Sequence, residues 1–302
     1  TKTSYFTGET FNSAGMVVTA TMADGSKKTV TGYTCRPTTM AANTTAVTVS
    51  YSEGGVTKTT TTPVTVTSIS NTLASNSWAT IRAVSDAGKG ANYWSVGDAK
   101  GITINGKVGA TTISNLAISV FILGFNHNAS REGSNRIHFQ IGKINGTLVG
   151  LVDGNYSNYT STTGAFTMNT SNTNSGGWNN SHMRKTVLGS NSASATSPTA
   201  NTLLAALPAD LRAVMKPATK YSDNTGGGSD AASYVTSTTD LLPLLSEFEY
   251  HGARTYANSA EKNYQAQYDY YRAGNSKVHY RHNATGTAAN AWCRSVHSGS
   301  SN

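Results

Sequence analysis

The feature that most constrains this chain is a recurrent period-two alternation, interrupted by Asp-Gly and Asn-Gly pairs. Thr45-Ala46-Val47-Thr48-Val49-Ser50-Tyr51 alternates, and so does Arg136-Ile137-His138-Phe139-Gln140-Ile141-Gly142. Neighbouring side chains on a strand point to opposite faces, so such runs suit half-buried strands. Asp24-Gly25, Asn105-Gly106 and Asn145-Gly146 supply the positive backbone angles that tight hairpins require. A chain written this way folds into β-sheets joined by short turns.

Only 13% of its residues are charged, where about a quarter is usual, and Thr, Ser, Asn and Gly fill the difference. With 9% aromatic residues this is the composition of folded, polar-faced β-structure and not of disorder. A length of 302 residues suggests two domains. The net charge is +8, of which five of the 23 basic and three of the 15 acidic residues lie in 1–67. That excess is dispersed and forms no basic stripe, so no nucleic-acid partner is expected. The longest apolar run, Leu116 to Phe125, is half a membrane span, so no membrane insertion is expected. Cys35 and Cys293 fall in different predicted domains and have no metal-site spacing. The chain is expected to be either processed or assembled without a secretory signal.

Residues 1–67 read as one β unit of five strands, from Gly15–Met22, Lys28–Tyr33, Thr45–Tyr51, Val56–Thr62 and Pro63–Thr67. Residues 68–77 read as a polar linker and 78–302 as a second unit. There Asn105-Gly106 predicts a hairpin, Leu116–Phe125 an interior strand, and Asn145-Gly146 a second hairpin. Asn180 to Leu188 reads as a short helix. Leu203, Leu207 and Leu211 mark helix turns broken at Pro208. Gly226-Gly227-Gly228 reads as a flexible loop, and Leu241 to Tyr250 as an apolar segment carrying Glu247 and Glu249.

In the first unit, Tyr5-x-x-Gly8-Glu9-x-Phe11, Gly15-Met16-Val17-Val18-x-Ala20, Ala23-Asp24-Gly25-Ser26 and Val47-Thr48-Val49-Ser50-Tyr51 resemble the bacterial Ig-like repeats of surface and phage proteins. In the second, Gly90-Ala91-Asn92-Tyr93-Trp94-Ser95-Val96-Gly97-Asp98, Phe121-Ile122-Leu123-Gly124-Phe125-Asn126-His127, Ile137-His138-Phe139-Gln140, Asn174-Ser175-Gly176-Gly177-Trp178, Met183-Arg184, Leu207-Pro208, Leu244-Leu245-Ser246-Glu247-x-Glu249, Gly274-Asn275-Ser276-Lys277 and Trp292-x-Arg294-Ser295 occur in order. Together they resemble a family of domains from gut bacterial and phage proteins, the DUF6273 type. Those domains are similar to C-type-lectin folds and to the variable proteins of diversity-generating retroelements. The resemblance implies an all-β Ig-like sandwich followed by an α+β C-type-lectin-like domain. The family pattern runs on past Trp-x-Arg-Ser through a Phe-Cys strand, so the resemblance also implies a lectin-like domain that is either incomplete at its C-terminal end or completed in another way.

Seven of the fifteen tyrosines fall between Tyr250 and Tyr280, interleaved with Asn and Gln. Tyr offers large contact area for few rotatable bonds, and Asn and Ser offer adaptable hydrogen bonds, as in antibody paratopes. Tyr264, Tyr268, Tyr270, Tyr271, Tyr280 and His282 are therefore candidate ligand contacts. The retroelement resemblance adds Asn290, Ala291, Cys293, Val296 and His297, positions that in diversified relatives arise from mutated Asn codons. It makes Trp292 and Arg294 framework, with Arg294 paired to a buried acid such as Glu247. Asp223, Asn224, Asp230 and Asp240 group around the glycine loop as calcium candidates, although turns use the same residues. His279-x-x-His282 has no evident third metal ligand.

No catalytic residue is assigned. Glu247 and Glu249 share a face if their segment is a strand, but no Ser/His/Asp context accompanies them. The expectation is a non-enzymatic recognition protein of a virion or cell surface. It would bind a host glycan or surface protein, contact other subunits through its Ig-like unit, and form a homo-oligomer. A structural virion subunit is the alternative, and a glycan-active enzyme the third choice.

Overall fold

The computed structural model describes residues 1–154, 164–226 and 229–297. The chain is β-rich with short helices, and divides into two compact units, Thr1–Ser70 and Asn71–Asn302. Of the Gly226-Gly227-Gly228 loop, the second and third residues lie outside the described set.

The first unit holds seven strands: β1 (Ser4–Phe6), β2 (Val18–Thr21), β3 (Lys27–Val30), β4 (Thr34–Arg36), β5 (Ala46–Glu53), β6 (Val56–Pro63) and β7 (Thr65–Thr67). They form a parallel pair β1–β7, a hairpin β2–β3 and an antiparallel sheet β4–β5–β6. The Asp24-Gly25 turn closes β2 onto β3, with the Asp24 carboxylate accepting from the Ser26 N–H at 2.9 Å. The flanking strands are shorter than their alternation suggests, and Val17 stands exposed before β2 begins. Ser4–Phe6 and Thr34–Arg36 are additional strands, too short to carry a periodic signal. Alternation in β5 turns Val47 and Val49 inward, where Val47 packs with Tyr5, Met40 and Val64.

The second unit is built on a six-stranded sheet of order β15-β14-β11-β10-β9-β8. Its strands are β8 (Ala99–Val108), β9 (Thr111–Phe125), β10 (Ile137–Ile144), β11 (Thr147–Gly150), β14 (His279–Arg281) and β15 (Ala284–Ala289). All neighbours are antiparallel except β11 and β14. β12 (Ala218–Asp223) and β13 (Val235–Asp240) form a separate antiparallel pair. From Val120 to Gly124, β9 is buried on both faces. On one side the helix Trp78–Asp86 brings Trp78 edge-on to Phe139, at 5.7 Å; on the other Tyr270 packs on Phe121, at 4.8 Å. This explains why the second half of β9, Leu116 to Phe125, reads as a largely apolar run.

Asn145 and Gly146 both take positive φ and turn β10 into β11, as the pair predicts. Asn105-Gly106 does not turn. It lies inside β8 at a register shift, and the reversal into β9 occurs at Gly109-Ala110. A Cβ on Gly106 would lie 3.2 Å from that of Ala206, so this glycine serves close packing. The helix expected over Asn180 to Leu188 is two pieces, Gly177–Asn180 and a wide turn Met183–Val187, with the Ser181 hydroxyl accepting from the Arg184 N–H between them. Leu203–Ala206 and Ala209–Arg212 are the turns separated by Pro208.

Candidate functional site

The C-terminal third is organised by a buried ionic cluster that no sequence signal isolated. Lys220 and Ser222 project inward from β12 because alternation turns Tyr221 outward. The Lys220 ammonium donates to Glu132 at 2.6 Å, Glu249 at 2.9 Å and the Tyr268 hydroxyl at 2.9 Å. Glu249 also pairs with the Arg294 guanidinium, which reaches Ser222 Oγ at 3.0 Å and the Leu244 carbonyl at 2.7 Å. Burial opposes ionisation of Glu249, but Arg294 and Lys220 outweigh it and hold its carboxyl well below the usual range. For Glu132, burial dominates the Lys220 contact and its pKa is raised. Burial also works against the Lys220 and Arg294 cations. Glu249 overcomes it in both, and their pKa values are raised.

Two histidines complete the cluster. The His127 ring stacks on Tyr268 at 3.7 Å, and His138 Nδ1 lies 3.2 Å from the Tyr268 hydroxyl. Burial holds His127 down to about 4 and His138 well below its ordinary value, so both are neutral near pH 7. His127, Glu132 and Glu249 bring one ligand atom each within 4.8 Å of one another. A metal ion does not fit there, because the Lys220 ammonium already lies between the two carboxylates.

The Leu241–Tyr250 segment is not a strand. Ser246 and Glu249 form a reciprocal capping box that starts the helix Glu247–His251. Glu247 and Glu249 therefore diverge. Glu247 accepts the backbone N–H groups of Thr255, Tyr256 and Ala257, at 2.7 to 3.0 Å. Its own N–H donates to Ser295 Oγ, whose hydroxyl donates to Glu261 at 2.6 Å. Arg294 pairs with Glu249 and not with Glu247, because a two-residue step is about half a helical turn and puts Glu249 on the inner side. Glu247 is framework of another kind, a clamp on the loop that carries Tyr256.

The tyrosines split. Tyr268, Tyr270, Tyr271 and Val296 were candidate ligand contacts and are buried, so they do not present to a ligand. Tyr271 is 1% exposed, and its hydroxyl donates to Gln140 Oε1 at 2.6 Å. His282 is half-buried, with Nδ1 accepting the Val152 N–H at 3.1 Å, and His279 is buried against Tyr250, so neither serves a metal. Cys293 is half-buried, and burial pushes its thiol up to about 11. Both cysteines are free. Tyr264 and Tyr280 are half-buried, Asn290 and Ala291 are exposed, and His297 is half-buried. Trp292, expected as framework, is 37% exposed while its indole N–H donates to the Phe166 carbonyl at 3.0 Å. Tyr256, which composition did not single out from its neighbours, is 58% exposed and stacks on His297 at 4.5 Å.

The calcium grouping does not form. Asp240 is buried and accepts from Trp178 Nε1, Arg184 Nε, Ser190 and Thr238. Asp223 accepts from Thr225 and Asn258, Asn224 binds Thr236, and Asp230 pairs with Arg254. Each acid is already satisfied by protein donors on different elements.

Comparison of the chain with family models, curated proteins and solved structures gave no match.

Proposed function

We propose that this chain is a non-enzymatic recognition protein whose second unit binds a partner molecule through its C-terminal face. One observation carries the proposal. The stack of exposed Tyr256 on half-buried His297 and the exposed run Asn290-Ala291-Trp292 belong to segments held from beneath by Glu247, Ser295 and Arg294. Arg294 and Ser295 lie between Trp292 and His297 in sequence, so one short segment supplies both anchors and outward groups. A face fixed in this way loses little conformational entropy on binding.

The two acids weighed for hydrolysis support the same reading. Glu249 is consumed by two cations and Glu247 by three backbone donors, so neither is placed as a general acid or base. The motif resemblance supports an Ig-like spacer carrying a C-type-lectin-like head on a virion or cell surface, with a host glycan or surface protein as ligand. A Tyr256→Ala, His297→Ala double variant is expected to lose binding to host cells while unfolding at the wild-type urea concentration. Undiminished cell binding by a folded double variant overturns the site.

A further inference from the structure

We propose that Arg131, held against the paired rings of Tyr221 and Tyr264, is a site for the carboxylate of an acidic sugar. The Tyr221 and Tyr264 rings stack at 4.8 Å with planes 15° apart. The Arg131 guanidinium carbon lies 4.9 Å from the Tyr264 centroid and 5.8 Å from that of Tyr221. Arg131 is exposed, and among the described residues its side chain meets no carboxylate and no hydrogen-bond acceptor.

The buried cluster builds this platform. Lys220 and Ser222 point inward, which turns Tyr221 out between them. Glu261, which accepts from the Asp223 N–H and from Ser295, fixes the turn that ends at Tyr264. Gln265 donates to the Tyr221 carbonyl at 2.7 Å, and Asn128 donates to the Tyr264 carbonyl at 2.7 Å. Asn128, in a left-handed conformation, opens the turn that carries Arg131. The adjoining carboxylate, Glu132, is turned inward onto Lys220, so it does not neutralise Arg131.

A guanidinium fixed on aromatic rings keeps its planar fork of donors, which matches a carboxylate in a bidentate pair. Half-exposed tyrosine rings beside it offer apolar surface to the C–H face of a pyranose. The net charge of +8 favours approach of an acidic ligand. One guanidinium and one ring edge make a monosaccharide-sized contact, whereas an acidic peptide needs a longer surface to gain affinity. The inference deepens the recognition reading by naming a ligand class, and it uses a different part of the domain from Tyr256 and His297.

The test is retention of the full chain on surfaces coated with hyaluronan, polysialic acid, neutral dextran or poly-L-glutamate. The wild type should be retained on hyaluronan or polysialic acid, which separates uronic from sialic acids, and should pass over dextran. Arg131→Gln should lower that retention at least about fivefold, Arg131→Lys nearly as much because it lacks the fork, and the exposed Lys262→Gln less than about twofold. If Arg131→Gln shifts the urea midpoint, Tyr264→Leu must show the same loss at an unchanged midpoint. Equal retention of Arg131→Gln and wild type overturns the site. So does an equal loss in Lys262→Gln, equal retention on poly-L-glutamate, or no retention on either acidic polysaccharide. Acid-sugar retention that persists in the Tyr256→Ala, His297→Ala variant leaves this site standing even if the cell-binding face fails.

Discussion

Tyr268, Tyr270 and Tyr271 lie within fifteen residues of Tyr256 and Tyr264, yet the two groups have opposite roles. The first three are buried between β9, β10 and the helix Glu247–His251, and each hydroxyl or ring meets a fixed partner. Tyr256 and Tyr264 stand on turns, where backbone bonds to Glu247 and Asn128 hold the chain and leave the rings partly open. Composition cannot separate them, because tyrosine suits a half-polar core as well as it suits a contact surface. What separates them is the buried cluster, which packs the inner group and props the outer one.

The comparison breaks most completely when the cluster loses its shared acid. Glu249→Ala removes the acid that Lys220 and Arg294 share, leaving Arg294 buried without a carboxylate and Lys220 with Glu132 alone. The expected loss is about 3–5 kcal/mol in urea unfolding, enough to leave much of the chain insoluble. Inner and outer tyrosines should then become equally open to solvent, which quenching of tyrosine fluorescence in the residual soluble protein would show.

Much of the sheet was legible, and the cluster was not, for identifiable reasons. The apolar run Leu116–Phe125 and the Asn145-Gly146 pair carry strand and turn chemistry in adjacent residues, so local rules suffice. Asn105-Gly106 carries the same turn signal, but close packing against Ala206 overrides it. Ser246-Glu247-Phe248-Glu249 is a capping-box signature, and an apolar count over the same segment hides it. Lys220, Glu132 and Arg294 come from three distant stretches, so only the fold brings them together. Lys220 and Glu132 look like ordinary surface charges in a sequence, and only for Arg294 does the motif resemblance imply a buried acid as partner.

Acid should erode the inner region before the outer one. His127 titrates near 6.5 when unfolded and near 4 when folded, through burial. Below pH 6.5 the unfolded chain takes up a proton that the folded chain refuses, so stability falls as pH drops from about 6.5 to 4. A shift of that size corresponds to about 3 kcal/mol for this group. His138 and His279 are shifted downward by burial in the same sense. Glu132 and Glu261, raised by burial, act in the opposite sense at the acid end. His127→Phe keeps the stack on Tyr268 and removes the titration, so urea unfolding should vary less with pH over this window. An unchanged slope would remove His127 from the account.

A smaller effect isolates the hydroxyl that links the histidines to the cations. Tyr268→Phe keeps the ring under His127 and deletes the oxygen that accepts from Lys220. The expected cost is about 1–3 kcal/mol, the usual penalty for a buried donor that loses one partner. The proposed binding to host cells should be retained at temperatures where the variant is folded, because Tyr268 is buried.

The smallest stability change is expected at Tyr256, and it bears most directly on function. Tyr256 is 58% exposed and its ring rests on His297, so Tyr256→Ala removes little buried area. Glu247 grips the backbone N–H of residue 256 and not its side chain, so the clamp survives the substitution. Urea unfolding should therefore shift by no more than about 0.5 kcal/mol. If Tyr256→Ala instead costs as much as Tyr268→Phe, the outer ring is structural too, and the division between inner and outer tyrosines is lost. If stability holds and cell binding falls, one residue type fills two roles, assigned by what lies beneath each ring.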